Sequence, residues 1–366
     1  MNTQSDFISV KKSDVNFKNF LMGNLPQYLS DDLKGEVRAI PIHSLNVGLV
    51  DEVVTFKMQP IAEILQPGFF LFLSRLVKIK SYLLILVPLF FVIVNNVKAN
   101  TLSDPLSLTI AVVAIIFIYA GLNIRNDIAD HVSGYDRVNP PVILKPIQAG
   151  WITAKTSAFY SWIAIGCGIF IGFPVFILQP KTFYMLIAIL PLIFIGQFYK
   201  KNMYKEKVIG EFILFLLMGV GITAGFQTAV GAAVDAQVIA FGIFWGTVVL
   251  FLVHINNFSH LLTSTQAGVV STITKLGFDP AKVFLVLWWG FCLFLWATYH
   301  WLYAPGSGKW LGIVVLVVYS FPFFKKILQI KSPLGSGLIE VHQYAYKVFL
   351  MMVSVFFLEH LWFLWN

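Results

Sequence analysis

Nine stretches of this 366-residue chain are apolar over a length that matches the hydrocarbon core of a bilayer. They run from about Ser81–Val97, Pro105–Leu122, Ser157–Leu178, Thr182–Phe198 and Ile209–Val230 to Gln237–Ile255, Val283–Tyr303, Leu311–Phe324 and Tyr346–Trp365. A spanning segment must satisfy every backbone polar group internally, so each stretch is expected to be a helix. Composition agrees, because a chain that is 58% hydrophobic and only 12% charged is unlike a soluble domain. The expected fold is therefore an all-α integral membrane protein with nine transmembrane helices.

Basic residues set the expected orientation. With the N-terminus in the cytoplasm, the loops after spans two, four, six and eight face it as well. Those loops hold Arg125, Arg137, Lys145, Lys155, Lys200, Lys201, Lys205, Lys207, Lys275, Lys282, Lys325, Lys326 and Lys331, against Lys98, Lys181 and Lys309 on the other side. Thirteen against three is a positive-inside bias, and it places the C-terminus opposite the N-terminus, in the inner membrane if the cell is bacterial. The net charge of +8 thus reflects topology and attraction to anionic membrane lipid, with no nucleic acid needed to explain it. Cys167 and Cys292 both fall inside spans and form no disulfide framework or CxxC site.

Residues 1–67 mix charges with short apolar runs and contain no signal-peptide core, so they read as a cytosolic extension lying against the membrane or its loops. Gly68 to Leu76 reads as an interfacial helix leading to Arg75, Lys78 and Lys80 at the first span. Residues 68–366 form the membrane domain.

Acids at a bilayer boundary are costly and call for a function. Asn126-Asp127-Ile128-Ala129-Asp130 directly follows the second span. Asp127 and Asp130 share a helical face, and Asp136 follows Gly134, where the helix is expected to stop and the chain to fold back towards the pair. Three convergent carboxylates are hard oxygen ligands of the kind Mg²⁺ takes when it also holds a phosphate. A solvated acidic loop balancing Arg125 and Arg137 is the alternative. The pattern has an echo: Asn256-Asn257-x-x-His260 follows the sixth span as Asn126-Asp127-x-x-Asp130 follows the second, which suggests two related halves.

With these blocks in view, the chain resembles the UbiA superfamily of intramembrane prenyltransferases, most of all the 1,4-dihydroxy-2-naphthoate prenyltransferases. Asn126 to Asp136 matches the first aspartate-rich motif. Lys145-Pro146-Ile147-Gln148-Ala149-Gly150-Trp151-Ile152-Thr153 is similar to the R-P-L-x-S-G-x-I-[ST] run. Tyr199 followed by Ile209-Gly210-Glu211-Phe212 resembles the entry to the fifth helix, and Asn256-Asn257 with Ala267-Gly268 and Leu276-Gly277 is spaced like the second motif and its tail.

The resemblance implies nine helices around a central, lipid-accessible cavity. It implies a prenyl diphosphate donor, a small aromatic acceptor of the quinone-precursor type, and Mg²⁺ as cofactor. Asp127 and Asp130 are the implied catalytic residues, and Asp127, Asp130 and Asp136 the implied metal ligands. Asn126, Lys145, Tyr199, Lys200, Lys201, Asn256, Asn257 and His260 are the implied substrate-binding set, although the lysines also fit plain positive-inside anchors. One departure stands out. Where the family carries D-x-x-x-D in its second motif, this chain reads His260-Leu261-Leu262-Thr263-Ser264, and no acid lies between Leu252 and Phe278 in the sequence. The second motif is degenerate. Two readings follow: a membrane prenyltransferase with a rewritten second motif, or a non-catalytic relative that binds a prenylated lipid or quinone as a partner subunit or carrier. A transporter using its acids as an ion path is a third, which the four ordered blocks oppose.

Overall fold

The computed structural model describes residues 7–25, 37–47, 49–138, 145–198, 208–266, 268, 270–303, 309–334 and 337–365. Nine long helices match the nine apolar stretches: α3 (Leu83–Lys98), α4 (Pro105–Ser133), α5 (Ala154–Leu178), α6 (Pro180–Phe198), α7 (Val208–Ala229), α8 (Ala236–Ser259), α9 (Phe278–Tyr303), α10 (Lys309–Gln329) and α11 (Gly337–Trp365). Two shorter helices, α1 (Phe17–Met22) and α2 (Phe69–Leu76), precede them. Among the described residues, eight are long and apolar enough to cross a membrane. The ninth, α6, is described at the side-chain level only over Pro180–Leu192, an apolar stretch. The protein is an all-α, multi-pass membrane protein with one non-helical addition at its N-terminus.

The chain divides into two compact units. One comprises Met1–Lys80, Val113–Ile171 and Gln266–Gly268; the other comprises Ser81–Val112, Gly172–Thr265 and Val269–Asn366.

The first unit opens with the addition, a three-stranded antiparallel sheet in the order β1-β3-β2, with β1 at Phe7–Lys11, β2 at Val37–Leu45 and β3 at Val53–Pro60. In β3 the residues alternate, so Val54, Phe56 and Met58 point to one face and are buried. Phe17, Phe20 and Leu21 of α1 cover that face, with the Phe20 and Phe56 rings 5.3 Å apart. Helix α2 exposes Phe69, Phe70, Leu71 and Leu73, the outward apolar surface expected of a helix lying in the membrane interface. In the same unit α4 and α5 approach closely where residues are small: Ser161 Oγ donates to the Gly121 carbonyl at 2.9 Å, and a methyl on Gly168 would collide with Ala114 and Ile118.

The second unit is built around α8, which is apolar on all sides and the most deeply covered of the long helices. Gly219 of α7 meets Gly242 and Gly246 of α8 backbone to backbone, a contact that any side chain would prevent. A π-helical turn, Leu216–Gly221, occupies that contact, and Thr223 Oγ1 donates to the carbonyl of Gly219 at 2.7 Å. Buried polar side chains pair across helices. Asn96 Nδ2 donates to Gln227 Oε1 at 2.7 Å, and His300 of α9 lies 3.1 Å from Glu359 of α11. That contact gives the acid in the last span a partner, while His360 beside it packs on Phe356 and donates from Nδ1 to that residue's carbonyl at 2.9 Å.

Candidate functional site

Helix α4 runs through the first motif, so Asp127 and Asp130 are presented from regular helix, one turn apart, instead of from a loop. The helix ends at Ser133, and Gly134, at φ 87°, reverses the chain. A short turn, Tyr135–Val138, then brings back Asp136. Lys145 begins the run that ends at Thr153, whose hydroxyl accepts from Thr156 N at 3.0 Å and caps α5.

These residues converge on one nitrogen. Lys145 Nζ donates to Asp136 Oδ1 at 2.8 Å and to Asp130 Oδ2 at 2.9 Å, and lies 3.2 Å from Asp127 Oδ1. A second ammonium, Lys78 Nζ, is 2.7 Å from Asp127 Oδ1. All three carboxylates are only 3% exposed, which excludes the solvated-loop alternative. The arginines named in that alternative are occupied elsewhere: Arg125 stacks over Trp162 at 4.6 Å, and Arg137 pairs with Glu52.

Lys78 reaches the cluster through an unusual backbone. Asn123 Nδ2 holds the Val77 carbonyl at 3.0 Å, and Lys78 itself sits at φ 55°, a left-handed conformation rare outside glycine. Such strain is found where a side chain must be aimed. Read along the chain, Arg75, Lys78 and Lys80 only mark where an interfacial helix leads into the first span. The signal that would have found them is three cations in six residues next to an apolar run, but the same signal marks any cytoplasmic helix end.

Burial pushes the Asp136 carboxyl up to about 6, opposed by Lys145 and reinforced by Asp130 and Asp127. Burial also disfavours the Lys145 ammonium, but Asp130, Asp127 and Asp136 outweigh it and hold that group well above the usual lysine range. A cavity of about 320 Å³ opens beside the cluster, lined by Leu71, Ser74, Arg75, Lys78, Ile79, Lys80, Asp127, Lys145 and Pro146. Four cations and one carboxylate on its wall make it a receptacle for an anion.

The chemistry of the donors suits Mg²⁺: they are carboxylate oxygens, and Asp127 Oδ2 and Asp136 Oδ2 are buried without a hydrogen-bond partner. Their spacing is set by the ammonium they enclose. Among the described residues no group of three or more His, Cys, Asp or Glu side chains is arranged around a common metal position.

The remaining candidates lie elsewhere. Tyr199, Lys200 and Lys201 fall outside the described residues. Asn126 neighbours the cluster in sequence on α4. Asn256, Asn257 and His260 belong to the second unit, at the end of α8, with Asn256 exposed. An acid that the sequence placed only within the entry to the fifth helix serves that region. Glu211 of α7 accepts hydrogen bonds from the backbone N and the hydroxyl of Thr272, and lies 3.8 Å from His254 Nδ1 on α8. The imidazole is edge-on to Phe284 and Trp288.

Similar folds exist among solved proteins. A structure described as digeranylgeranylglyceryl phosphate synthase in membranes is 16% identical, covers 80% of this chain and 98% of its own, and gives a TM-score of 0.54. A UbiA homologue from Archaeoglobus fulgidus, bound to DMAPP and Mg²⁺, is 15% identical, covers 78% and 98%, and gives 0.55. The homologue from the same organism bound to GPP and Mg²⁺ is 14% identical, covers 78% and 99%, and gives 0.52. No curated protein sequence matches the chain. The UbiA prenyltransferase family matches residues 67–336, which takes in α2, the aspartate–lysine cluster and the helices up to α10. On that match, this chain belongs to the UbiA prenyltransferase family.

Proposed function

We propose that the protein transfers a prenyl group from a prenyl diphosphate to a small aromatic, quinone-precursor-like acceptor, of the 1,4-dihydroxy-2-naphthoate type that the motif blocks resemble. The observation that carries the proposal is the convergence of Asp127, Asp130 and Asp136 beside a cavity walled by Arg75, Lys78, Lys80 and Lys145. Family membership and relatives described as bound to DMAPP or GPP with Mg²⁺ support it.

In this reading Asp127, Asp130 and Asp136 would supply the carboxylates for one Mg²⁺, and Lys145, which answers them in this structure, would be a point charge for the diphosphate. When bound, the ion neutralises charge on the leaving diphosphate. The chain supplies the rest. Arg75, Lys78 and Lys80 are fixed positive charges at the anion, and they take over the role that carboxylates of a second motif would perform through a second ion. The allylic C–O bond breaks with its electron pair leaving on the diphosphate, the acceptor's ring carbon attacks the freed carbon, and that ring carbon then gives up its proton. Asn256, Asn257 and His260 bring no carboxylate, which suits hydrogen bonding to substrate and not the holding of a hard cation.

Membranes containing the protein, incubated with labelled prenyl diphosphate and candidate aromatic acceptors, test this. Transfer that requires Mg²⁺, with calorimetry giving about one ion per chain, is the expected result. The absence of carboxylates from the second motif favours one competing reading, the non-catalytic carrier. Prenyl lipid retained on purification, with no transfer to any acceptor, establishes that reading instead.

A further inference from the structure

The family match starts at residue 67, so the β1-β3-β2 sheet and α1 are additions to the family's membrane domain. Their contacts fall on the segments that carry the cluster. Arg137, next to Asp136, has a guanidinium only 3% exposed. Its Nε donates to Ser44 Oγ of β2 at 2.8 Å, its Nη1 to the His131 carbonyl at 2.6 Å, and its Nη2 to Glu52 Oε1 at 2.7 Å. Glu52, directly before β3, is held in turn by Lys12, whose ammonium lies 3.4 Å from Oε2 and whose backbone N donates to the Glu52 carbonyl at 2.8 Å. A methyl on Gly134 would strike Val47 and Arg137, and one on Gly150 would strike Ile40 of β2. The sheet therefore grips both the turn bearing Asp136 and the run that starts at Lys145.

Those are the two cluster members that regular structure does not place. Helix geometry fixes Asp127 and Asp130, whereas Asp136 and Lys145 stand on short turns whose backbone needs outside support. A buried ion pair is a poor source of stability compared with apolar packing, but a forked guanidinium fixes direction. We propose that the N-terminal sheet is a positioning module for the aspartate–lysine cluster, with Glu52 as its positioning residue acting through Arg137. The proposal rests on the reading of that cluster as the metal and diphosphate site.

The test uses the full chain in detergent or nanodiscs and the variant Glu52→Gln. Without metal, amide exchange in peptides covering residues 131–138 and 145–153 is expected to quicken about tenfold, while β1 and β3 stay protected. Mn²⁺ affinity, read by electron paramagnetic resonance, is expected to weaken about tenfold. KM for prenyl diphosphate rises by more than kcat falls, Glu52→Asp restores most of the loss, and Lys11→Ala at an exposed position of β1 changes nothing. Wild-type exchange in both segments overturns the proposal, and so does faster exchange with unchanged Mn²⁺ affinity. If the wild type binds no Mn²⁺, the metal reading of the cluster falls, and the exchange result alone decides whether the sheet positions these segments. Should Glu52→Gln fail to fold, Ser44→Ala removes a single hydrogen bond to Arg137 and is expected to shift exchange about threefold in the same direction; no shift overturns the proposal.

Discussion

Lys145 Nζ stands 2.8 Å from Asp136 Oδ1, and the same nitrogen touches Asp130 and Asp127. One ammonium thus fills the position between three buried carboxylates, the position proposed above for a divalent cation. Replacing Lys145→Met keeps the chain length and removes the charge. The metal-free variant should lose about 3 kcal/mol of stability, because three buried carboxylates are left with one less cation. Mg²⁺ should raise its melting temperature more than it raises that of the wild type. Equal responses of the two proteins to Mg²⁺ would count against a shared cation position.

Asp127→Asn and Asp130→Asn each remove one negative charge from the proposed metal site. Turnover is expected to drop by at least ~100-fold in either variant, since the charge opposing the leaving group is lost. Both should fold, because an amide preserves volume. Wild-type transfer rates in either one would sink the assignment.

Glu211 is the acid that tertiary structure delivers to the segment following the second motif, where it accepts from Thr272. Glu211→Ala leaves the Thr272 amide and hydroxyl without that acceptor inside the protein. A stability loss of about 1–3 kcal/mol follows, measurable by thermal melting in detergent. Glu211→Gln retains an acceptor and should lose less. A larger loss in Gln than in Ala would mean that the carboxylate charge itself is needed.

Topology has its own test. A reporter fused after Asn366 should report the non-cytoplasmic side, as nine crossings from a cytoplasmic N-terminus require. Helix α6 follows α5 after a single residue, Gln179. A cytoplasmic reading would therefore point to α6 as the crossing to remove from the count.

Much of the architecture was legible because it rests on local rules. Apolar runs of spanning length must become helices in lipid, and all nine did, with boundaries drifting most in the second, where α4 continues through Asp130 to Ser133. A short helix before the first span was also expected, and Phe69–Leu76 is helical. The period-2 burial of Val54, Phe56 and Met58 was also present in the sequence, but short strands in a charged segment carry a weak signal.

The sequence by itself determined the membrane class, the helical spans and the two acids at the end of α4 with the third just beyond it, because hydropathy and helical periodicity act over a few residues. Only the tertiary structure decided which cations answer those acids. Lys145 and Lys78 could each have been a solvent-facing anchor, and it took the Gly134 reversal and the left-handed backbone at Lys78 to turn them inwards. The same holds for Glu211 and Thr272, 61 residues apart, and for Arg137 and Glu52, 85 apart. Charge pairing at such separations depends on how helices and strands pack, and packing is a property of the whole chain that no local stretch encodes.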